Sequence, residues 1–214
     1  MRFTDVLPAS PFYAYVQWMA CRGYISGYSC GGVGEPCNGS NDPYFRPGNL
    51  VTRGQLLKMV VNAAGWPPVA PSSATFADVP DTQPFYAYIE TGASHGIISG
   101  YSCGGLGEPC DSGNRPYFRP YASITRGQLS KVIALARAYP LPTPATPTFE
   151  DVPVGNTFAL YIEAMAAHAI VSGYTCGGPG EPCVPPGNRP YFRPYSSATR
   201  GQVSKFVTIA YGGP

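Results

Sequence analysis

The stretch ITRGQLSKV, Ile124–Val132, decides how this chain is read. It recurs as VTRGQLLKM at Val51–Met59 and as ATRGQVSKF at Ala198–Phe206. Each copy places Thr three residues before Gln and then opens an apolar run, which is a capping-box helix start. Thr52/Gln55, Thr125/Gln128 and Thr199/Gln202 are the three boxes. Behind them Leu56, Met59, Val60 and Ala63 fall on one helical face. Leu129, Val132, Ile133 and Ala136 form a second such stripe, and Val203, Phe206, Val207 and Ala210 a third.

Working outward, FTDV at Phe3 reappears as FADV at Phe76 and FEDV at Phe149. GYSCGG at Gly27 returns at Gly100, then as GYTCGG at Gly173, and PYFRP occurs at Pro43, Pro116 and Pro190. Repetition at this period marks tandem units. The spacing predicts three repeats, 1–66, 71–139 and 144–214, with proline-rich linkers at 67–70 and 140–143. A first helix is expected in each, from PFYAYVQWMACRG at Pro11–Gly23 and its two counterparts, with Pro11 in the first turn and Gly23 at the C-cap. One helix pair cannot bury both stripes, whereas three pairs about a common axis can. The expected fold class is therefore all-α and loop-rich, with three helix-loop-helix repeats in a pseudo-threefold bundle.

Composition narrows the function. The chain has 214 residues, a formal net charge of +2, 26 glycines and 25 prolines. No basic run is present to follow phosphates, which argues against nucleic acid, and no apolar stretch reaches membrane-spanning length. Seven cysteines point to an oxidising compartment, while MRFTDVLPAS lacks the regions of a secretory signal. The expectation is an extracellular, surface-associated piece whose export signal lies elsewhere.

The capping box does not explain Arg53, Arg126 and Arg200. A cation in a helix's first turn faces the positive end of the helix dipole. Two readings are open. Each arginine, beside free backbone N–H groups, makes a receptor for a carboxylate or phosphate, or each pairs with an acid of another repeat such as Asp5, Asp78 or Asp151.

The ordered motifs Phe-x-Asp-Val, Gly-Ile-Ile-x-Gly-Tyr, Phe-Arg-Pro and Thr-Arg-x-x resemble the S-layer homology family. FADVPDTQPFYAYIETGASHGIISGY followed by YFRPYASITRGQ carries the resemblance most fully. It implies a three-pronged arrangement of repeats and non-covalent attachment of exported or S-layer protein to cell-wall polysaccharide, commonly pyruvylated. It also implies ligand contacts by Arg53, Arg126 and Arg200 in grooves between repeats. Gln55, Gln128 and Gln202 take the place of the family's motif glutamate there, so each site loses a negative charge. Gly27, Tyr28, Gly100, Tyr101, Gly173 and Tyr174 are the expected groove walls, with tyrosine faces against sugar rings or buried in the core.

Two further departures stand out. Gly54, Gly127 and Gly201 replace alanine, and one explanation is closer approach of a ligand to the backbone. A long loop separates Gly-Tyr from Phe-Arg-Pro, with Cys30/Cys37, Cys103/Cys110 and Cys176/Cys183 at constant spacing. Zinc would want tighter Cys pairs or nearby histidines, and His95 and His168 lie at helix ends. Disulfides are expected, either local or cyclic between repeats. A local bridge would contribute about 2.5 kcal/mol on the chain-entropy model. Cys21, whose counterparts are Ser94 and Ala167, is expected to be a buried free thiol.

The loops could cover the grooves, alter the sugar bound or join subunits. Glu35, Glu108 and Glu181 recur in them, one per repeat, with no pairing at glycosidase distance evident. No nucleophile–base set repeats, so the expectation is a non-catalytic binding module with no cofactor and no metal. Its partner is cell-wall polysaccharide. The alternative is a self-assembling subunit of a filament or surface lattice, with copies of itself or other surface-layer proteins as partners.

Overall fold

The computed structural model describes residues 2–214. Among these residues it contains six helices: α1 (Tyr13–Cys21), α2 (Arg53–Ala64), α3 (Tyr86–Ser94), α4 (Arg126–Ala136), α5 (Ala159–Ala167) and α6 (Arg200–Ala210). The even-numbered helices start as the sequence requires. Thr52, Thr125 and Thr199 each accept from the N–H of the glutamine three residues on, and that glutamine's side chain accepts from the threonine N–H. The odd-numbered helices begin without a side-chain cap at the N-cap residue itself. There the oxygen of Ser10, Gln83 or Asn156 accepts the N–H of Phe12, Phe85 or Phe158 instead.

The expected all-α, pseudo-threefold bundle is not what forms. Helix accounts for 29% of the chain, and 8% lies in extended pairings. Those pairings are nine isolated antiparallel bridges among the described residues. The two helices of one repeat also do not pack on each other. Instead α2 packs on α3, α4 on α5, and α6 closes back on α1, while α2, α4 and α6 meet one another. The loop between the helices of a repeat carries the chain away from the first, so the second buries its stripe against the next repeat.

Backbone hydrogen bonds, rather than a helical bundle, close the molecule. Val51 N–H donates to the Ala198 carbonyl (3.0 Å), Ala198 N–H to Ile124 (2.9 Å) and Ile124 N–H to Val51 (2.9 Å). All three residues are buried. Each link joins two repeats, and together the three form a closed cycle.

The Phe-x-Asp-Val and Phe-Arg-Pro motifs lock together inside each repeat. Phe3 and Phe45 pack with ring centroids 5.3 Å apart, as do Phe76/Phe118 and Phe149/Phe192. Arg46, Arg119 and Arg193 adopt left-handed backbone, φ 59 to 61°, which turns two successive N–H groups to one side. Asp78 accepts from both Phe118 N–H (2.7 Å) and Arg119 N–H (2.6 Å), and Asp5 and Asp151 do the same in their repeats. The motif aspartates are therefore turn clamps, and none of them forms a salt bridge with Arg53, Arg126 or Arg200 among the described residues.

Candidate functional site

Three grooves of about 200 Å³, 200 Å³ and 210 Å³ lie where the repeats meet. Each draws on all three repeats. The groove at Tyr101 has Arg53 from the repeat before, Gln128 and Lys131 from its own second helix, and Phe158 from the repeat after. At Tyr28 the same places are held by Arg200, Gln55, Lys58 and Phe85. At Tyr174 they are held by Arg126, Gln202, Lys205 and Phe12. Gly27, Gly100 and Gly173 sit in the lining beside their tyrosines. All twelve sequence-expected ligand residues thus come together, four to a groove, though Arg and Gln of one motif serve different grooves.

The arginines are nearly enclosed, with Arg53 8%, Arg126 5% and Arg200 4% exposed. Arg53 Nε donates to the Phe118 carbonyl (2.7 Å), Arg126 Nε to Phe192 (2.8 Å) and Arg200 Nε to Phe45 (2.7 Å). Each guanidinium also lies over that phenylalanine, 4.4 to 4.5 Å from its centroid. Burial pulls all three guanidinium pKa values below the ordinary arginine value. The neighbouring tyrosine opposes the shift, Arg119, Arg193 or Arg46 adds to it, and the motif aspartate opposes it again. The shift stays compatible with a charged side chain, because arginine starts so far above neutrality.

The helix N-termini do not supply free donors. Arg53 N–H is taken by the Ala122 carbonyl (2.9 Å) and Gly54 N–H by Pro120 (2.9 Å), and α4 and α6 repeat the arrangement with Ser196/Pro194 and Asn49/Pro47. An anion would therefore be met by side chains and not by the helix ends. The glycines after the arginines have a packing reason too. A Cβ on Gly54, Gly127 or Gly201 would come within 2.5 Å of Phe85, Phe158 or Phe12 respectively. What approaches the backbone there is the phenylalanine of the next repeat, which corrects the ligand-approach explanation.

Each groove tyrosine carries guanidinium on its ring. Tyr101 has Arg119 at 4.0 Å and Arg53 at 5.0 Å from its centroid, and Tyr28 and Tyr174 are covered in the same manner. Gln128 Nε2 donates to the Tyr101 hydroxyl (2.7 Å) and Gln202 Nε2 to Tyr174 (3.0 Å). The motif glutamine thus caps its helix with one end and holds the tyrosine with the other. In the first groove the polar contact falls elsewhere, from Arg200 Nη2 to the Ser26 carbonyl at 3.1 Å.

Sequence reasoning missed the lysines and the phenylalanine walls. Lys58, Lys131 and Lys205 follow their motif glutamines by three residues, which is one helical face, so the spacing could have found them. Each groove then pairs an arginine with a lysine, and its lining contains no Asp or Glu.

The cysteines pair locally, Cys30–Cys37, Cys103–Cys110 and Cys176–Cys183, each with Cα atoms 5.0 Å apart. Glu35, Glu108 and Glu181 are held by bidentate contacts from Arg46, Arg119 and Arg193, 2.6 to 2.8 Å. Those hydrogen bonds hold all three carboxyls below their ordinary pKa. The loops fold back on their own repeats and contribute no residue to the lining of the three grooves. Cys21 is exposed on α1, contrary to the buried thiol expected from its small counterparts.

The profile of the S-layer homology domain matches residues 2–33 and 75–130. Over these two segments the chain is similar to S-layer homology domains. No characterised protein matches it. S-layer homology domains are non-catalytic modules that attach surface proteins to cell-wall polysaccharide, and such a domain implies association with the cell surface and wall. The matched segments take in the Phe-x-Asp-Val and Gly-Tyr motifs of the first two repeats and one Thr-Arg-Gly-Gln. No helix among the described residues is long and apolar enough to cross a membrane.

Proposed function

We propose that the three inter-repeat grooves bind acidic groups of cell-wall polysaccharide, and that this binding anchors an exported or S-layer protein. One observation carries the reading: in every groove an enclosed arginine and a lysine converge with no carboxylate in the lining. Two cations facing a partly enclosed space attract an anion, and arginine's planar fork matches a carboxylate such as a ketal acid. Phe12, Phe85 and Phe158 offer the apolar wall a sugar ring would pack against.

The test is co-sedimentation with purified wall polysaccharide, before and after chemical reduction of its carboxyl groups. Binding that disappears on reduction, and that falls at least about tenfold in Lys58→Ala/Lys131→Ala/Lys205→Ala with an unchanged melting profile, supports the reading. Equal binding to the reduced glycan sinks the acidic-group assignment. A self-assembling subunit is the second reading, favoured by the full exposure of Val33 and Leu106 at the loop tips. Concentration-dependent assembly in the absence of glycan, lost in Val33→Ser/Leu106→Ser, would support it.

A further inference from the structure

The three grooves share the same interior residues but differ at the rim. In each, the wall phenylalanine packs on a glycine at the start of a neighbouring helix: Phe158 on Gly127, Phe85 on Gly54 and Phe12 on Gly201. The N–H of that glycine donates to the proline carbonyl of a Phe-Arg-Pro motif, Pro194, Pro120 or Pro47 respectively (2.8 to 2.9 Å). The residue following that proline is therefore held beside the groove wall. It is Tyr195 at the Tyr101 groove, Tyr121 at the Tyr28 groove and Gly48 at the Tyr174 groove.

Both tyrosines are spread on the surface, Tyr195 68% and Tyr121 67% exposed, and neither belongs to the hydrophobic core. Tyr195 is nevertheless fixed. Its ring meets that of Phe158 edge-on, with centroids 6.3 Å apart and planes at 65°. Asn156 ties the two together, since its carbonyl oxygen accepts the Phe158 N–H (2.9 Å) and its Nδ2 donates to the Tyr195 hydroxyl (3.2 Å). At the second rim Gln83 takes the place of Asn156. Its Oε1 accepts the Phe85 N–H, but its Nε2 is buried without a partner, and Tyr121 makes no side-chain hydrogen bond among the described residues. At the third rim Gly48 offers no side chain, although a Cβ there would meet nothing within 4 Å.

We propose that Tyr195 and Tyr121 are outer platforms that hold a second sugar of the wall polysaccharide when an acidic sugar occupies the adjoining groove. The inference rests on the glycan reading of the grooves and makes them unequal, because the Tyr174 groove has no platform. An exposed aromatic ring presents an apolar face and a polar tip, which suits the C–H face and hydroxyls of a sugar. The separation of the Phe158 and Tyr195 rings is comparable with the length of one sugar unit, so consecutive sugars can each meet a ring. Tyr195 is already ordered and loses little freedom when a sugar packs on it, whereas Tyr121 must be immobilised. Length of glycan should therefore matter most at the Tyr101 groove, less at the Tyr28 groove and not at the Tyr174 groove.

The test is an NMR titration of the oxidised protein with acidic fragments of the purified wall polysaccharide, one set a single sugar long and the other two or more. Amide signals of Tyr28, Tyr101 and Tyr174 report the three grooves separately. The longer fragments should bind the Tyr101 groove about threefold to tenfold more tightly than the single sugar, the worth of one aromatic contact. Tyr195→Ala, with an unchanged melting profile, should abolish that gain and leave the single sugar's affinity as it was. Gly48→Tyr should create a gain at the Tyr174 groove. Failure of both fragments to move any groove overturns the glycan reading and this proposal with it. Equal length dependence in all three grooves, unchanged length dependence in either variant, or a Tyr195→Ala loss that falls equally on the single sugar overturns the platforms and leaves the glycan reading standing.

Discussion

The grooves and the disulfide loops are both written three times in the sequence, yet they are built by opposite means. A groove needs three repeats at once: Arg53, Gln128 and Phe158 are brought to Tyr101 only when the cycle of backbone contacts is closed. A loop needs only its own repeat, through one disulfide, one Arg–Glu pair and a tyrosine hydroxyl on a loop carbonyl, as in Tyr117 to Pro109 (3.0 Å). Damage near a groove should therefore spread through the molecule, whereas damage in a loop should stay there.

The largest test of that contrast is Phe118→Ala. Phe118 is fully buried, stacks near Phe76, underlies the Arg53 guanidinium and holds Arg53 Nε with its carbonyl. The expected loss is about 3–5 kcal/mol, seen as a lowered denaturation midpoint together with weakened glycan binding. Cys103→Ser/Cys110→Ser should cost less, about 2.5 kcal/mol on the chain-entropy model, and should leave glycan affinity unchanged. A loss of affinity comparable to that of Phe118→Ala would break the distinction between groove and loop.

Thr125→Ala removes one helix cap and should cost about 1 kcal/mol. It would act on a groove as well, because Gln128, freed from its box, also holds Tyr101. The smallest effect concerns pH. Arg46, Arg119 and Arg193 hold Glu35, Glu108 and Glu181 below their ordinary pKa. Their contribution is therefore complete above the unfolded glutamate value of about 4.3 and is lost as pH falls through the lowered native values. Amide exchange followed down to about pH 3 should show the loops loosening before the helices. Simultaneous loosening would mean that loops and core are coupled.

Much of the local structure was legible. Thr-x-x-Gln marked three helix starts because a capping box is a contact between residues three apart, and the cysteine spacing suited local bridges for a similar reason. The partners across repeats were not legible. Periodicity told that α2 has an apolar stripe but not that α3, beyond the linker, would cover it, and the all-α bundle inferred from those stripes failed on that point. Asp78 resembled an ion-pair partner for Arg53 because a carboxylate's charge is visible in sequence, whereas the left-handed turn that presents two N–H groups to it is not. Phe85 and Phe158 sit at helix starts, where one ring meets Gly54 and the other Gly127 across a repeat boundary, a contact that spacing within one repeat does not reveal.

The most direct measurement is an NMR titration of the oxidised protein with an acidic fragment of the wall glycan, following side-chain signals of Arg53, Lys131 and Phe158. These three residues come from three different repeats and meet in one groove. All three signals should move together with one dissociation constant, while Glu108 and the Cys103–Cys110 loop stay still. Shifts in the loop with the groove silent would contradict it.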